Sequence, residues 1–427
     1  MAAAVSAGAP LLAACSSGSG SPKAWDKKLS FIGWDYQPDT IKKFLSDWGS
    51  AHDTQVELSI IPSLGYSPAL QSRLRGGSQV DVFYNFAYNT QKFVAQKWAQ
   101  DLRGLPGVDE MVADMFPSAK GRYVTSKGAV VSVPYFSAVD VLHYNKSLLA
   151  KAGIAAPPAT LEEYYTQSKT LKANGVQTPF MGFWNKDVLE HYLNTYLLAA
   201  GITPFDDKGE PAFADDPKTT TVFDWWQTMY QEGLVQKSAL TDDPGKIINN
   251  MATGSGAFWI ADHYVLRDIH VAKAPESDNV VLTRVVGDSG KTLQFGEVVQ
   301  MGGKTEGAAR EAAWKLMKYY GWKDESGNFT VFRAWAKAAC LLAPYPAVFK
   351  DAEVRAAFPD YMNLDLIQDI FEKSSDNVPV RTEPWFPAFT TQCGDILQKL
   401  ILGQADAKAT VKALTDAVRS AKSGGAI

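Results

Sequence analysis

Strands alternating with helices in the first third of the chain predict an α/β protein on a largely parallel sheet, with helices on both faces. Segments 29–34, 55–61 and 80–84 each read as strands, and each is followed by a stretch with helical spacing. At 427 residues the chain is too long for one small core and suggests two or three domains. Hydrophobic content of 46% and charged content of 21% are ordinary for a globular protein.

The elements follow in order. Leu29-Ser30-Phe31-Ile32-Gly33-Trp34 is the first strand, and apolar Ile41, Phe44, Leu45 and Trp48 then fall at helical spacing. The second strand, 55–61, is stopped by Pro62, and a short helix follows at 70–74. Val80-Asp81-Val82-Phe83-Tyr84 is the third strand, followed by a helix over 89–98. In such sheets ligands gather beyond the carboxyl ends of the strands. Those ends carry Trp34-Asp35-Tyr36, Gly65-Tyr66 and Asn85 to Tyr88, each with a Tyr or Trp. From 130 the pattern changes to two successive extended segments, 131–136 and 139–146. Thr160 is an N-cap with Glu163 three residues on, a capping-box spacing. Residues 189–233 are mostly helical, broken at Gly201-Ile202-Thr203-Pro204; an extended segment recurs near Phe295-Gly296, and 308–320 is an amphipathic helix.

Charge narrows the partners. The formal net charge is −4, from 42 basic and 46 acidic residues, which gives neither a nucleic-acid footprint nor a polybasic membrane patch. Aromatic residues make up 12%, including 12 Trp and 17 Tyr, a surplus that suits a cleft gripping flat ligand faces as well as a core. No apolar run approaches the ~20 residues that cross a bilayer. The five histidines, at 52, 143, 191, 263 and 270, show no metal-ligand spacing. Adjacent acids such as Asp206-Asp207 and Asp242-Asp243 read as turn and capping residues, and no nucleophile elbow, P-loop or metalloprotease helix is present. No cofactor, metal or catalytic residue is therefore expected.

Near the start, Leu12-Ala13-Ala14-Cys15 resembles a bacterial lipoprotein lipobox, with Ser16 to Ser21 as a flexible tether. This implies a lipid-anchored protein of the cell envelope, periplasmic or on the outer face of the cytoplasmic membrane, held at Cys15.

From about residue 28 to 421 the chain resembles the extracellular solute-binding proteins of ABC sugar importers, the group that includes maltose-binding protein. The carriers are Val80-Asp81-Val82-Phe83; Val133-Pro134-Tyr135 with His143-Tyr144-Asn145-Lys146; and Pro158-Ala159-Thr160-Leu161-Glu162-Glu163. Met251 to Trp259, then Val378-Pro379-Val380-Arg381 with Pro384-Trp385-Phe386, continue the series in the family's order. The resemblance implies a two-lobed, hinged, type II periplasmic-binding-protein fold. One lobe would hold 24–138 and 296–341, the other 139–295 and 342–427, with 1–23 as leader and tether. It also implies a monomer that closes on a sugar or short oligosaccharide and hands it to membrane permease subunits.

A sugar presents hydroxyls at its rim and C–H patches on its faces, so it calls for aromatic plates beside carboxylate and amide partners. Candidates of that kind are Trp34, Asp35, Tyr36, Tyr66, Tyr84, Asn85, Tyr88, Tyr135, Trp184, Asn185 and Asp262. By the family's pattern Tyr192, Tyr264 and Trp385 take stacking positions, and Arg381 reaches a hydroxyl or an anionic group. His191 and His263 read as ordinary satisfied polar groups, Asp81 as a structural strand-end carboxylate, and Trp225, Trp226, Trp314, Trp322 and Trp335 as packing residues. Two alternatives stay open. The same fold would take a polyamine, amino acid or anionic sugar derivative, with Asp35 and Asp262 in an acidic aromatic box; and a carbohydrate-active enzyme would need two placed carboxylates. A disulfide between Cys340 and Cys393 is permitted outside the membrane, with two buried thiols as the other outcome.

Overall fold

The protein is described here from a computed structural model covering residues 25–63 and 65–424. Cys15 and the tether lie outside the described residues. Among the described residues ten strands form two mixed sheets: β1 (Lys28–Trp34), β2 (Gln55–Ile61), β3 (Val82–Asn85), β4 (Val133–Pro134), β5 (Ala138–Asn145), β6 (Phe258–Asp262), β7 (Val280–Thr283), β8 (Thr292–Phe295), β9 (Val298–Met301) and β10 (Ser375–Asp376). The first sheet runs β2-β1-β3-β9-β4, and the second β10-β8-β5-β6 with β7 also paired to β5. β1 is parallel to β2 and β3, as the strand–helix alternation predicts, whereas β9 and β4 join antiparallel.

The local chemistry accounts for the main elements. Helix Pro38–Ala51 starts on proline, whose missing N–H costs nothing at the first turn, and buries Ile41, Phe44, Leu45 and Trp48. Each such side chain contributes roughly 1.5–3 kcal/mol of apolar burial. Asp81 ties β1 to β3 by accepting from the Ser30 N–H at 2.8 Å and hydroxyl at 3.0 Å, and it accepts from Thr305 as well. That is the structural carboxylate the sequence suggests. Helix Leu161–Ala173 is capped as its spacing predicts: the Thr160 hydroxyl accepts from Glu163 N, and the Glu163 carboxylate reaches back to Ala159 N at 2.7 Å.

The second sheet is a filling between two helical layers. Alternate residues point to opposite faces. Val139, Val141, Trp259 and Ala261 join the first core cluster, while Leu142, Phe258 and Ile260 join the second. The helices that close the chain, Phe386–Ile401 and Ala407–Gly424, pack in the second cluster. The stretch 342–373 contributes to the first cluster, which also takes in Val139, Val141 and Trp259 of the second sheet. Leu342, Tyr345, Phe349 and Phe371 belong to the first cluster, because this stretch packs against helix Thr330–Ala339 and the outer face of β5.

The two sheets share one antiparallel ribbon. Val133 and Pro134 of β4 pair with Val299 and Val298 of β9 in the first sheet. Four residues later the same two strands, now β5 and β8, pair Ala138 with Phe295 and Val139 with Gln294 in the second. Between the pairs the Tyr135 N–H donates to Glu297 O at 2.8 Å. Gly296 sits so close to the opposite strand that a Cβ would lie 2.0 Å from Phe136 O and 2.8 Å from Ser137 Cα. Only glycine fits this approach without moving backbone.

Cys340 and Cys393 are free and buried, one in each core cluster. The disulfide that the sequence permits is therefore not formed, since each thiol is packed into a different core.

Gly296→Ala should lower stability by about 1–3 kcal/mol, the range of overpacking in a rigid site. Thermal unfolding of the variant measures this; an unchanged melting temperature would mean the ribbon is loosely held.

Candidate functional site

The carboxyl ends of β1, β3, β6 and β8 and the first residues of β5 and β9 all lie at the junction of the two sheets. The sequence places aromatic and acidic residues at those ends, so the junction becomes a cleft wall. On the first sheet's side Trp34, Phe86 and Tyr88 form a ladder of rings. Trp34 and Phe86 stack at 5.4 Å between centroids, and Phe86 and Tyr88 at 5.4 Å and 2° between planes. Phe86 is held by its own N–H, which donates to the side chain of Asn85. On the second sheet's side stand Tyr264 and Phe295, both packed edge-on against Phe136 of the ribbon, and the His191 ring lies 4.7 Å from Phe295. Tyr36, Phe86, Tyr88, Tyr264 and Phe295 are half-buried, as rings lining an open wall should be.

Charged groups sit behind these rings. Asp140 and Asp262 are directly opposite partners on β5 and β6, so both carboxyls emerge on one face. Asp140 Oδ2 accepts from His191 Nε2 at 2.8 Å and from the Thr195 hydroxyl. Burial and the neighbouring Asp140 carboxyl push the Asp262 carboxyl up to about 7. Burial opposes charge on His191, but Asp140 outweighs it and leaves the imidazole raised. Glu297, in the ribbon, accepts the Ala87 N–H at 2.7 Å and so joins the two sides. Desolvation pushes its carboxyl up to about 7 although Arg381 and Arg122 oppose the shift. Arg381 is itself engaged by Glu190, at 3.0 and 3.2 Å. Arg122 is buried in the ribbon, donating to Ser137 Oγ at 3.2 Å and to Gln294 O.

The structure brings Tyr36, Tyr88, Asp262, Tyr264 and Arg381 of the sequence-derived candidates to this wall, with the edge of Trp34 behind them. Other candidates it places elsewhere. Tyr66, Tyr84, Tyr135 and Trp184 are at most 1% exposed. Tyr66 is spent on the Tyr84 carbonyl, Tyr84 meets Tyr320, and Trp184 packs on Phe180 and Trp226. Tyr84 is turned in within β3 and Tyr135 directly after β4, whereas Tyr66 opens helix Tyr66–Arg75 and Trp184 lies outside any strand, so no single periodicity in the sequence marks them as buried. Asn85 is sealed as well, bonded to Gln300 Oε1 at 2.7 Å. Tyr192 is buried beside His191. Asp35 is exposed and closes the loop at Ser63, and Asn185 accepts from Asp187 N in its own turn. Trp385 packs on Phe205 and Phe386 with Lys422 over its ring, on the second core rather than on the ribbon.

Sequence reasoning misses Phe86, Asp140, Glu190, Phe295 and Glu297, and undervalues His191. The missed signal is where strands are interrupted. Phe295 and Glu297 flank the one glycine between two strands, and Asp140 interrupts an apolar strand core.

Comparison with known proteins adds an independent line. A sequence profile of the family described as bacterial extracellular solute-binding protein matches residues 34–321. A binding protein of Brucella abortus is 22% identical over 218 residues, and the chain spans about half the length of that curated relative, 53%. The melibiose/raffinose/stachyose-binding protein of Bacillus subtilis is 24% identical over 276 residues, covering 61% of this chain and 62% of that protein. The mannitol-binding protein of Pseudomonas aeruginosa is 21% identical over 351 residues, 77% of each. Maltose-bound MalE3 of T. maritima shares the fold, with a TM-score of 0.78 at 17% identity over 92% of this chain and 99% of that one.

The raised Glu297 carboxyl fixes a pH dependence. Its ordinary value is 4.5 and its folded value about 7, so between these the native state keeps a proton that the unfolded chain has lost. Stability from this group is thus present below about 4.5 and lost as pH rises through 7. Glu297→Gln should gain on the wild type across that window by on the order of 3 kcal/mol and stay level above it. Paired denaturant titrations from pH 5 to 8 measure the difference; a difference independent of pH would contradict the assignment.

Proposed function

The chain belongs to the bacterial extracellular solute-binding protein family, and on that premise we propose that it is the substrate-binding component of an ABC importer. It captures a sugar, short oligosaccharide or polyol by hinge closure and presents it to a membrane permease. Family membership assigns it a transport role rather than a catalytic one. The observation that carries the solute class is the wall at the sheet junction. Stacked rings (Trp34, Phe86 and Tyr88) face Tyr264 and Phe295 across carboxyls and guanidiniums that suit a rim of hydroxyls. The relatives that bind melibiose, raffinose, stachyose and mannitol support the same class.

Closure follows from the shared ribbon. A change of backbone dihedrals at 134–138 and 295–298 moves one sheet relative to the other without unpairing either. The moving bodies are then the two sheets with their helices. A solute shifts the balance only through contacts it makes better in the closed state, which here means touching Phe86 or Tyr88 and Tyr264 at once. Cys15 would hold the protein to the outer face of the membrane through a lipid, leaving the cleft free above it.

A thermal-shift screen against mono-, di- and trisaccharides and polyols should find a solute that raises the melting temperature, as any ligand of the native state alone must. For that solute Tyr264→Ala should weaken binding by about 1–3 kcal/mol in calorimetry, the cost of truncating a central aromatic anchor. Unchanged affinity would remove Tyr264 from the binding wall.

A further inference from the structure

The carboxyls behind the wall outnumber the groups that answer them. Four carboxyls converge there, Asp140, Glu190, Asp262 and Glu297. Two guanidiniums, Arg122 and Arg381, and one imidazole, His191, answer them. The pairing is also uneven. Glu190 holds Arg381, Asp140 Oδ2 holds His191, and Glu297 lies within the field of both guanidiniums. The oxygens left over are on the Asp140–Asp262 pair. Asp140 is fully buried, and its Oδ1 has no hydrogen-bond partner among the described residues. The ligating atoms of Asp140, His191 and Asp262 all lie within 4.8 Å of one another. Two carboxyls this close need a proton or another cation between them. Asp262 is the half-buried member, so the pair is reached from the cleft, beside Tyr36 and Tyr264.

We propose that the solute carries a protonated amine on a polyhydroxylated frame, an amino sugar or amino polyol, and that the amine seats between Asp140 and Asp262. The inference rests on the solute-binding reading above and narrows it. An ammonium N–H donates to the unpartnered Asp140 Oδ1 while another reaches Asp262, and Tyr36 and Tyr264 stand beside the pair. When the ammonium enters, the proton shared by the two carboxyls leaves to solvent and no covalent bond changes. Groups facing the pair are His191, Tyr192, Thr195 and Tyr196 on helix Leu189–Ala199, His143 on β5, His263 and Tyr264 after β6 and Tyr36 after β1; burial holds His143 and His263 neutral, so among these only His191 adds positive charge.

The test pairs each amine with its hydroxyl counterpart: 1-amino-1-deoxysorbitol with sorbitol, glucosamine with glucose, galactosamine with galactose. At least one amine should bind the wild type tenfold or more tighter than its partner, and Asp262→Asn should reduce that preference to within twofold. Calorimetry at pH 6 in two buffers of different ionisation enthalpy should show up to one proton released per amine bound. This readout and the amine-to-hydroxyl ratio need only the wild type, so they decide the matter even if the variant does not fold. Neutral partners binding as well as the amines would overturn the inference and leave the solute-binding reading standing. Failure of both kinds would overturn both. Zn2+ or Mn2+ alone stabilising the wild type but not Asp262→Asn would also overturn it, in favour of a metal site.

Discussion

The antiparallel ribbon that leaves one sheet and enters the other is the constraint from which the rest follows. Its pairing runs from Val133–Val299 to Val139–Gln294 with a one-residue slip of register, where the Tyr135 and Phe136 N–H groups both donate to Glu297 O, so neither sheet can be displaced without bending it. Gly296 marks the closest point, where the two backbones leave no space for a side chain. Because every strand that leads to the wall ends or begins beside this ribbon, strand pairing fixes where the short loops carrying Tyr36, Phe86, Tyr88 and Tyr264 start. That gives the positional accuracy a binding site needs.

Burial explains why this wall is both sticky and charged. Rings that would be stable inside either core are held half-open by the ladder Trp34–Phe86–Tyr88 and by Phe136 against Tyr264. Behind them, low polarisability makes each carboxyl sensitive to its neighbour, which is why Asp262 and Glu297 both titrate near neutrality. Such groups are costly in an empty protein and become favourable when a solute supplies donors.

Much of the architecture was legible in the sequence. Strand–helix alternation gave the first three strands and their parallel order, and the capping box at Thr160–Glu163 starts its helix as read. The change of pattern at 130 marks the ribbon. What periodicity could not show is which sheet each half of an extended stretch belongs to; β4 and β5 look like neighbours in sequence and lie in different sheets. The site was half legible for the same reason. Aromatic residues at strand ends were the right class, but Tyr84 within β3 and Tyr135 directly after β4 are packed into the core, while Phe86, just past the end of β3, reaches the wall. Asp140 escaped notice because its importance comes from a partner 122 residues away across a strand pair.

Small-angle scattering of the protein with and without the solute found by screening tests the central claim most directly. The account predicts a smaller radius of gyration on saturation, lost when the solute is removed, because one body must fold over the other about the ribbon. A scattering profile identical in the two states, with the solute demonstrably bound, would contradict it.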